Sequence, residues 1–274
     1  MRTAPEYCPV SMGAELLTER WNLLIIRELL TGAERFNDIH RGLPGLSRTL
    51  LSQRLRQLRR AGLVTVAEPG EPGAGGYRLT EAGAALQTVL EALGSWAVRW
   101  RFPRPAEGQL NPHLLLWRIR SGLVLDRLPA GRTIVQLTFE GAKAHHGWLV
   151  LDGANSSVCA RDPLFDVDLY ASAPAEVWHE WWFGHRSMPG SIHSGEVVLS
   201  GRKELADQFP GWFRLSPFAA EVASSAPGRP PADPPPGRAQ PNTARCSRTN
   251  SSYVGTAEPT APPGARAELN RTGL

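Results

Sequence analysis

The pattern of apolar and polar positions is most regular between residues 47 and 62. Apolar positions recur there at helical spacing and share one face that can be buried: Leu51, Leu55, Leu58 and Gly62. Ser47 follows the turn-forming pair Pro44 and Gly45, where a helix N-cap is expected. The pattern therefore predicts a helix that begins after Ser47 and packs its leucines into a core.

The opposite face of this predicted helix is polar. It carries Thr49, Gln53, Arg56 and Arg60, with Ser52 at its edge. A short helix that presents hydroxyl, amide and guanidinium groups is suited to the major groove of DNA. An ordinary amphipathic surface helix has the same pattern, so the neighbouring segments decide between the two interpretations.

Those neighbouring segments predict a winged helix-turn-helix. Residues 36–43 indicate a short helix, which the turn at Pro44 and Gly45 joins to the next one. Residues 64–68 predict a strand, residues 69–76 a turn rich in glycine and proline, and residues 77–79 a return strand. Arg78 lies on this wing hairpin, where we expect it to reach a flanking DNA phosphate.

A longer helix is predicted from Thr80, its N-cap, to about Arg101. Its apolar stripe comprises Leu86, Val89, Leu90, Leu93, Trp96, Ala97 and Trp100. The stripe extends further than one small domain can cover, which predicts contact with a second subunit or with a second domain. A homodimer is favoured, because helix-turn-helix proteins commonly read two half-sites one DNA turn apart.

The pattern changes after residue 102. Residues 103–112 are typical of a linker, and a helix is predicted from residue 114 to about 127. Short strands are predicted at residues 132–140, 147–152, 156–161, 166–171 and 196–201. Helices are predicted at residues 174–183 and 202–212, so this region reads as an α+β domain with an antiparallel sheet. The tail, rich in Pro, Ala, Ser and Gly, is predicted to be disordered.

The charge distribution favours DNA as the partner of the first domain. Residues 1–105 carry 14 arginines, no lysine and 10 acidic residues, whereas residues 106–220 carry 10 basic and 12 acidic ones. Arginine is the residue best suited to bidentate contacts with phosphate and guanine. The three cysteines are far apart, which fits a reducing compartment and argues against a zinc cage. With no apolar run of membrane length and no signal-peptide core, we expect a cytoplasmic protein without membrane contact.

The seven histidines follow no catalytic or metal-binding motif. His-Glu-x-x-His, Cys-x-x-Cys and Gly-x-Ser-x-Gly spacings do not occur in the chain. Adjacent residues such as His145 and His146 point to opposite faces of a strand, so they would not chelate one ion together. We therefore expect no enzyme activity, no metal and no cofactor.

Residues 7–100 resemble the HxlR-type winged helix-turn-helix regulators of bacteria. The matching blocks occur in the right order at residues 7–10, 21–29, 35–39, 43–47, 51–58, 62–64 and 77–83. The resemblance implies a homodimer that represses or activates nearby promoters. It also implies the residues that face bases or phosphates: Ser47, Arg48, Thr49, Ser52, Gln53 and Arg56.

The resemblance makes Cys8 a candidate redox sensor, because in some family members a cysteine at this position senses oxidants or electrophiles. No Lys or Arg lies directly beside Cys8, so its sequence neighbours predict no lowered thiol pKa. The alternative is a small buried residue at the start of the first helix.

The second domain resembles sterol-carrier-protein-like lipid-binding domains. The resemblance depends on residues 166–169, the helix to Trp182, and residues 195–201 and 206–209. Such domains enclose an apolar tunnel beneath a sheet. The candidate lining residues are Phe139, Trp148, Phe165, Trp178, Trp181, Trp182 and Trp212. The alternative is that these aromatic residues simply fill a core.

The sequence thus predicts an α+β protein with four parts. These are a DNA-binding and dimerisation domain (1–102), a linker (103–112), a sterol-carrier-like domain (113–220) and a disordered tail (221–274). The predicted function is sequence-specific transcription regulation through double-stranded DNA, with a C-terminal ligand-sensing or interaction domain. The expected partners besides DNA are a second copy and an apolar small molecule or lipid. The alternative is a lipid- or small-molecule-binding protein whose helix-turn-helix mediates protein contact.

Overall fold

A computed structural model describes residues 7–71 and 73–225 of the chain. It begins with four helices: α1 (Pro9–Leu17), α2 (Arg20–Leu30), α3 (Phe36–Arg41) and α4 (Arg48–Arg60). Helix α4 begins where the sequence predicts, because the Ser47 side chain accepts a hydrogen bond from the backbone N–H of Leu50 at 3.2 Å. Gly62 is exposed with a φ of +71°, so its predicted place on the buried face is wrong. The sequence also predicts that the helix ends at Gly62 and Leu63, and this is confirmed.

The wing is a two-stranded antiparallel hairpin of β1 (Val64–Val66) and β2 (Tyr77–Leu79). Two helices follow it, α5 (Glu81–Ala85) and α6 (Gln87–Arg101). The single predicted helix over residues 80–101 is therefore wrong, since the chain turns at Leu86. The backbone N–H of Leu86 donates to the carbonyl of Gly83, an i−3 bond that tightens the chain there.

The helix-turn-helix part has its own apolar core. Helix α2 contributes Ile25, Ile26 and Leu29, and α4 contributes Leu51, Leu55 and Leu58. All six side chains are buried, which confirms the predicted apolar face of α4 at its three leucines. This core holds the polar face of α4 toward solvent.

The second part begins with α7 (Pro112–Ser121), capped by the Asn111 side chain. Helix α7 ends well before the predicted residue 127, and a separate 3-10 turn follows at Leu125–Arg127. A Cβ on Gly122, the residue after α7, would lie 2.2 Å from the carbonyl oxygen of Arg214. This close backbone approach fixes the end of the helix.

A five-stranded sheet forms the centre of the second part, in the order β5-β4-β3-β6-β7. The strands are β3 (Thr133–Glu140), β4 (His145–Leu151), β5 (Ser157–Cys159), β6 (Leu169–Pro174) and β7 (Val198–Gly201). Strands β3 and β6 are parallel, with Val135 opposite Leu169, so the predicted antiparallel sheet is wrong at this pair. After the β3-β4-β5 meander, residues 160–168 return the chain to the free edge of β3.

Helices cover one face of this sheet. They are α7, α8 (Ala175–Trp182), α9 (Met188–His193) and α10 (Lys203–Gln208) with its 3-10 continuation Phe209–Trp212. Helix α9 was not predicted. A last helix, α11 (Ala219–Ser224), buries Val222, so the folded chain extends past the predicted boundary at residue 220. The predicted disorder of the remaining tail lies outside the described residues.

Both parts belong to one compact unit of the chain. Trp117 of α7 packs into the helix-turn-helix core, which joins the two parts. In the segments that the structure describes, no helix combines the length and apolarity needed to cross a membrane.

Candidate nucleic-acid interface and the contacts that position it

The polar face of α4 is solvent-exposed. It consists of Thr49, Gln53, Arg56 and Arg60. None of these four side chains has a hydrogen-bond or ion-pair partner among the described residues. Their donors and acceptors are thus available to a macromolecule that approaches this face, and a duplex offers complementary groups in its major groove.

The N-terminal end of α4 is fixed to α3. Arg48 donates a hydrogen bond from Nη1 to Asn37 Oδ1 at 2.9 Å, and its guanidinium carbon lies 5.9 Å from the centre of the Phe36 ring. Arg48 remains exposed beside Ser47, while Ser52 is half-buried. The contacts position Arg48 and leave its face of the helix open to solvent.

Arg54 has a different role from the other arginines of α4. Its Nη2 lies 2.6 Å from Glu19 Oε2, and its Nη1 donates to Gln57 Oε1 at 2.8 Å. The side chain therefore ties α4 to the residue that precedes α2. It belongs to the scaffold behind the exposed face of α4.

The wing residue Arg78 is turned toward two carboxylates. Its Nη1 lies 3.2 Å from Glu71 Oε2, and its Nε lies 3.7 Å from Glu34 Oε1. Arg35 also donates a hydrogen bond to the carbonyl of Ala74 at 2.9 Å. These contacts anchor the wing hairpin, so any DNA phosphate that meets Arg78 competes with two neighbouring acids.

Helix α6 has one covered side and one open side. A Cβ on Gly94 would lie 2.0 Å from the ring of Phe218, which shows how closely the second part packs there. The other side exposes Val89, Leu93 and Trp96, and the Trp96 side chain is 54% exposed. Leu86 and Leu90 of the predicted stripe pack against the helix-turn-helix core, and the exposed residues still leave an apolar surface open.

Cys8 lies half-buried at the start of α1. Hydrogen bonding by the backbone and side chain of Ser11, and by the backbone of Val10, lowers the pKa of the Cys8 thiol below its ordinary value. The sequence neighbours of Cys8 do not predict this shift, because it comes from hydrogen bonds at the helix start and not from a nearby cation.

A buried carboxylate joins the two parts of the chain. Glu28 of α2 is fully buried, and Arg118 of α7 donates to both of its oxygens, at 2.7 and 3.0 Å. Arg27 donates to the same carboxylate at 2.8 Å. No motif in the sequence indicates this site. Its only signal was one acidic residue within the apolar stretch 21–30.

The aromatic residues predicted to line a tunnel occupy different environments. Five of them lie in the closely packed core of the second part: Phe139, Trp178, Trp181, Trp182 and Trp212. Trp181 contacts both Trp178 and Trp182 edge to face, with centroids 5.8 and 6.3 Å apart. Trp148 is buried outside this cluster. Phe165 is 48% exposed beneath the Arg132 guanidinium, so its prediction as a lining residue is wrong.

His179 is a structural residue in the second part. Its Nε2 accepts a hydrogen bond from the backbone N–H of Asn111 at 3.1 Å, and its Nδ1 lies 2.6 Å from the carbonyl of Ala175. Burial lowers the pKa of His179, which agrees with a neutral ring that donates from Nδ1. Across residues 7–71 and 73–225, no group of three or more His, Cys, Asp and Glu is placed to hold a metal ion.

The fold and the exposed face of α4 together define a helix-turn-helix transcriptional regulator. The model of the HxlR-like helix-turn-helix family matches residues 16–104. The chain belongs to this family, since it also covers nearly the whole length of a relative that is 38% identical. Residues 105–225 lie outside the matched region.

Three relatives illustrate the match. Uncharacterized HTH-type transcriptional regulator YvaP of Bacillus subtilis (strain 168) is 38% identical over 100 residues, which are 36% of this chain and 93% of that protein. HTH-type transcriptional regulator YodB of the same organism is 39% identical over 92 residues, 33% of this chain and 82% of that one. Uncharacterized HTH-type transcriptional regulator Rv3095 of Mycobacterium tuberculosis is 42% identical over 97 residues, 35% of this chain and 60% of that one.

Proposed function

We propose that the chain is a dimeric, sequence-specific DNA-binding regulator whose helix α4 enters the major groove. The observation that carries the proposal is the exposed face of α4, whose polar groups have no partner among the described residues. Helix α4 is held by a buried leucine face and by a side-chain N-cap, so its polar groups are presented on a rigid element.

The residues of this face have different roles in the proposal. Gln53 is suited to the N6 and N7 edge of adenine, and Arg56 to guanine or to a phosphate. Ser47, Arg48, Thr49 and Ser52 contact the sugar-phosphate backbone or base edges near the N-terminal end of α4. Arg78 contributes a wing contact only after it exchanges Glu71 or Glu34 for a phosphate.

The dimer forms through the apolar surface that α6 leaves open. Val89, Leu93 and Trp96 expose apolar side chains on one face of this helix, and α1 adds exposed Val10 and Met12. A second copy with the same patch would bury both surfaces around a two-fold axis. Such a dimer presents two α4 helices to successive major grooves.

The second part serves in this proposal as a sterol-carrier-like, ligand-sensing or interaction module. Its support is a five-stranded sheet with helices on one face and an aromatic core. An apolar ligand under the sheet has to displace rings such as Trp181 and Trp182, which contact each other at 6.3 Å. Native mass spectrometry after exposure to a lipid library tests this part. A spectrum that contains the ligand-free mass alone would contradict it.

Cys8 remains the candidate redox sensor. Its half-exposed thiol and lowered pKa favour reaction with an oxidant or electrophile. The test is the DNA affinity of the wild-type chain and of Cys8→Ser before and after treatment with diamide. A change confined to the wild-type chain supports sensing, and equal responses contradict it.

The direct test of DNA binding is a fluorescence anisotropy titration with duplexes from the region upstream of the chain's own gene. We expect binding to one segment with a clear preference over a shuffled duplex. The affinity should also fall steeply with salt, because counterions are released from the phosphates. Equal affinity for both duplexes, or no binding, would contradict the proposal.

A further inference from the structure

A cavity of about 290 Å³ lies between the helix-turn-helix part and the second part. Helix α2 and the turn before α4 form one wall, and α7 and α8 with the segment before α7 form the other. None of the seven aromatic residues predicted for a tunnel lines this cavity. Its place between two packed parts is one where small-molecule sites commonly occur, and its volume fits only a small ligand.

The charge around this cavity is positive. Arg20, Arg27 and Arg118 line it, and no acidic residue does. Arg27 and Arg118 share the single carboxylate of Glu28, and Arg20 has no ion-pair partner among the residues described. Burial, and to a smaller extent repulsion from Arg118, lowers the pKa of Arg27. This direction is expected where two cations share one carboxylate.

The rest of the lining is mainly apolar, with one amide available. Trp21, Leu24, Leu114 and Phe183 supply apolar surface. Asn111 uses its Oδ1 to cap α7, at 3.0 Å from the backbone nitrogen of Leu114, which leaves its side-chain NH₂ to donate to a ligand. We infer that this cavity binds a small organic monoanion, a carboxylate with an aromatic or branched apolar body.

Binding at this site has a direct route to the DNA-binding helix. Gly42 and Pro44, in the turn that leads into α4, line the same cavity. The carbonyl of Gly42 accepts from Arg118 at 3.1 Å. A bound carboxylate competes with Glu28 and Gly42 for these guanidinium groups, so it alters the contact that holds the turn against α7. This consequence, unlike the site itself, rests on the proposed DNA-binding function.

The experiment uses the full chain without DNA, so its outcome does not depend on DNA binding. Isothermal titration compares three anions with their neutral amides: benzoate, naphthalene-1-acetate and the branched 2-propylpentanoate against benzamide, naphthalene-1-acetamide and 2-propylpentanamide. At least one anion should bind about tenfold more tightly than its amide, because one charge-assisted hydrogen bond contributes about that factor in affinity. Arg20→Gln should remove most of that difference. Arg20 stacks on the Trp21 ring, and Arg132→Gln is the matched control because Arg132 stacks on Phe165 but lies outside the cavity.

A second variant tests the location independently of charge. Leu24→Trp places a bulky side chain on the wall of the cavity, and it should weaken binding of the anion while Arg132→Gln leaves binding unchanged. The inference is overturned if no anion binds, if anion and amide bind equally, or if both Arg20→Gln and Leu24→Trp retain wild-type affinity. A ligand-dependent change in DNA affinity, measured afterwards, tests the coupling alone.

Discussion

Arg118 donates two hydrogen bonds to the fully buried carboxylate of Glu28, and the two residues are 90 positions apart in the sequence. The pair fixes α7 of the second part against α2 of the helix-turn-helix part. Arg27 completes the cluster from the residue next to Glu28. One acid and two arginines thus help to fix the DNA-binding part against the second part, together with the packing of Trp117.

Glu28→Gln should destabilise the chain by about 3–5 kcal/mol, because it leaves two guanidinium groups without their buried counter-charge. The measurement is the free energy of unfolding in urea for the full chain. Lys203→Ala is the control, since its partner Asp207 and Lys203 itself are both on the surface, and the unfolding midpoint should barely change. Equal midpoints for Glu28→Gln and the wild type would show that the cluster is not structural.

Gly42→Ala should also weaken this cluster, for a steric reason. A Cβ at position 42 would lie 1.8 Å from Glu28 Oε2, although the backbone of Gly42 is ordinary helical. We expect a loss of about 1–3 kcal/mol of unfolding free energy. Gly13→Ala is the matched control, because it lies in α1 with open space around it and should be neutral or slightly stabilising. A neutral Gly42→Ala would contradict the close approach.

Trp96→Glu should convert the proposed dimer into a monomer. The substitution places a charge at the centre of the exposed α6 surface, and desolvating that charge in an interface is unfavourable. Light scattering coupled to size-exclusion chromatography measures the mass. Val198→Glu is the control, since Val198 is 56% exposed but lies on β7 of the second part. A dimer that survives Trp96→Glu, or a wild-type chain that is monomeric, would place the interface elsewhere or exclude it.

The stability of the second part should fall in mild acid because of His179. Burial lowers the pKa of this histidine below its ordinary value of about 6.5, so the unfolded chain binds the proton more readily than the folded one. The stabilisation is complete above that value and is lost as the pH falls through the lowered pKa. Urea unfolding between pH 7.5 and 5 should show a smaller decline in His179→Gln than in the surface control His193→Gln. Parallel declines would rule His179 out as the cause.

The sequence predicted the DNA-binding part better than the second part, for physical reasons. The leucine spacing and the cap of α4 are local signals, and both are confirmed. The pairing of β3 with β6 is not local, because alternation along a strand carries no information on the direction of its neighbour. The exposure of Phe165 and the partner of Glu28 likewise depend on how distant segments pack.

The candidate DNA-binding residues could be proposed from the sequence because a helix places them on one face. Whether these side chains are free to contact DNA could not be predicted, since it depends on their contacts within the folded chain. In the sequence, Arg54 and Arg78 are arginines of the predicted winged helix-turn-helix, as Arg56 is. In the structure both of them have acidic partners. Arg56 has none among the described residues. The interdomain cavity was missed because its walls come from four separate segments.

The affinity of Arg56→Ala for the mapped duplex measures whether the exposed face of α4 binds DNA. The comparison needs the wild-type chain and Arg132→Ala, an arginine of the second part. We predict a loss of about 1–3 kcal/mol with relaxed specificity if Arg56 contacts a base, or a salt slope smaller by about one unit if it contacts a phosphate. Arg132→Ala should change neither. An Arg56→Ala chain with wild-type affinity, specificity and salt slope would contradict the account.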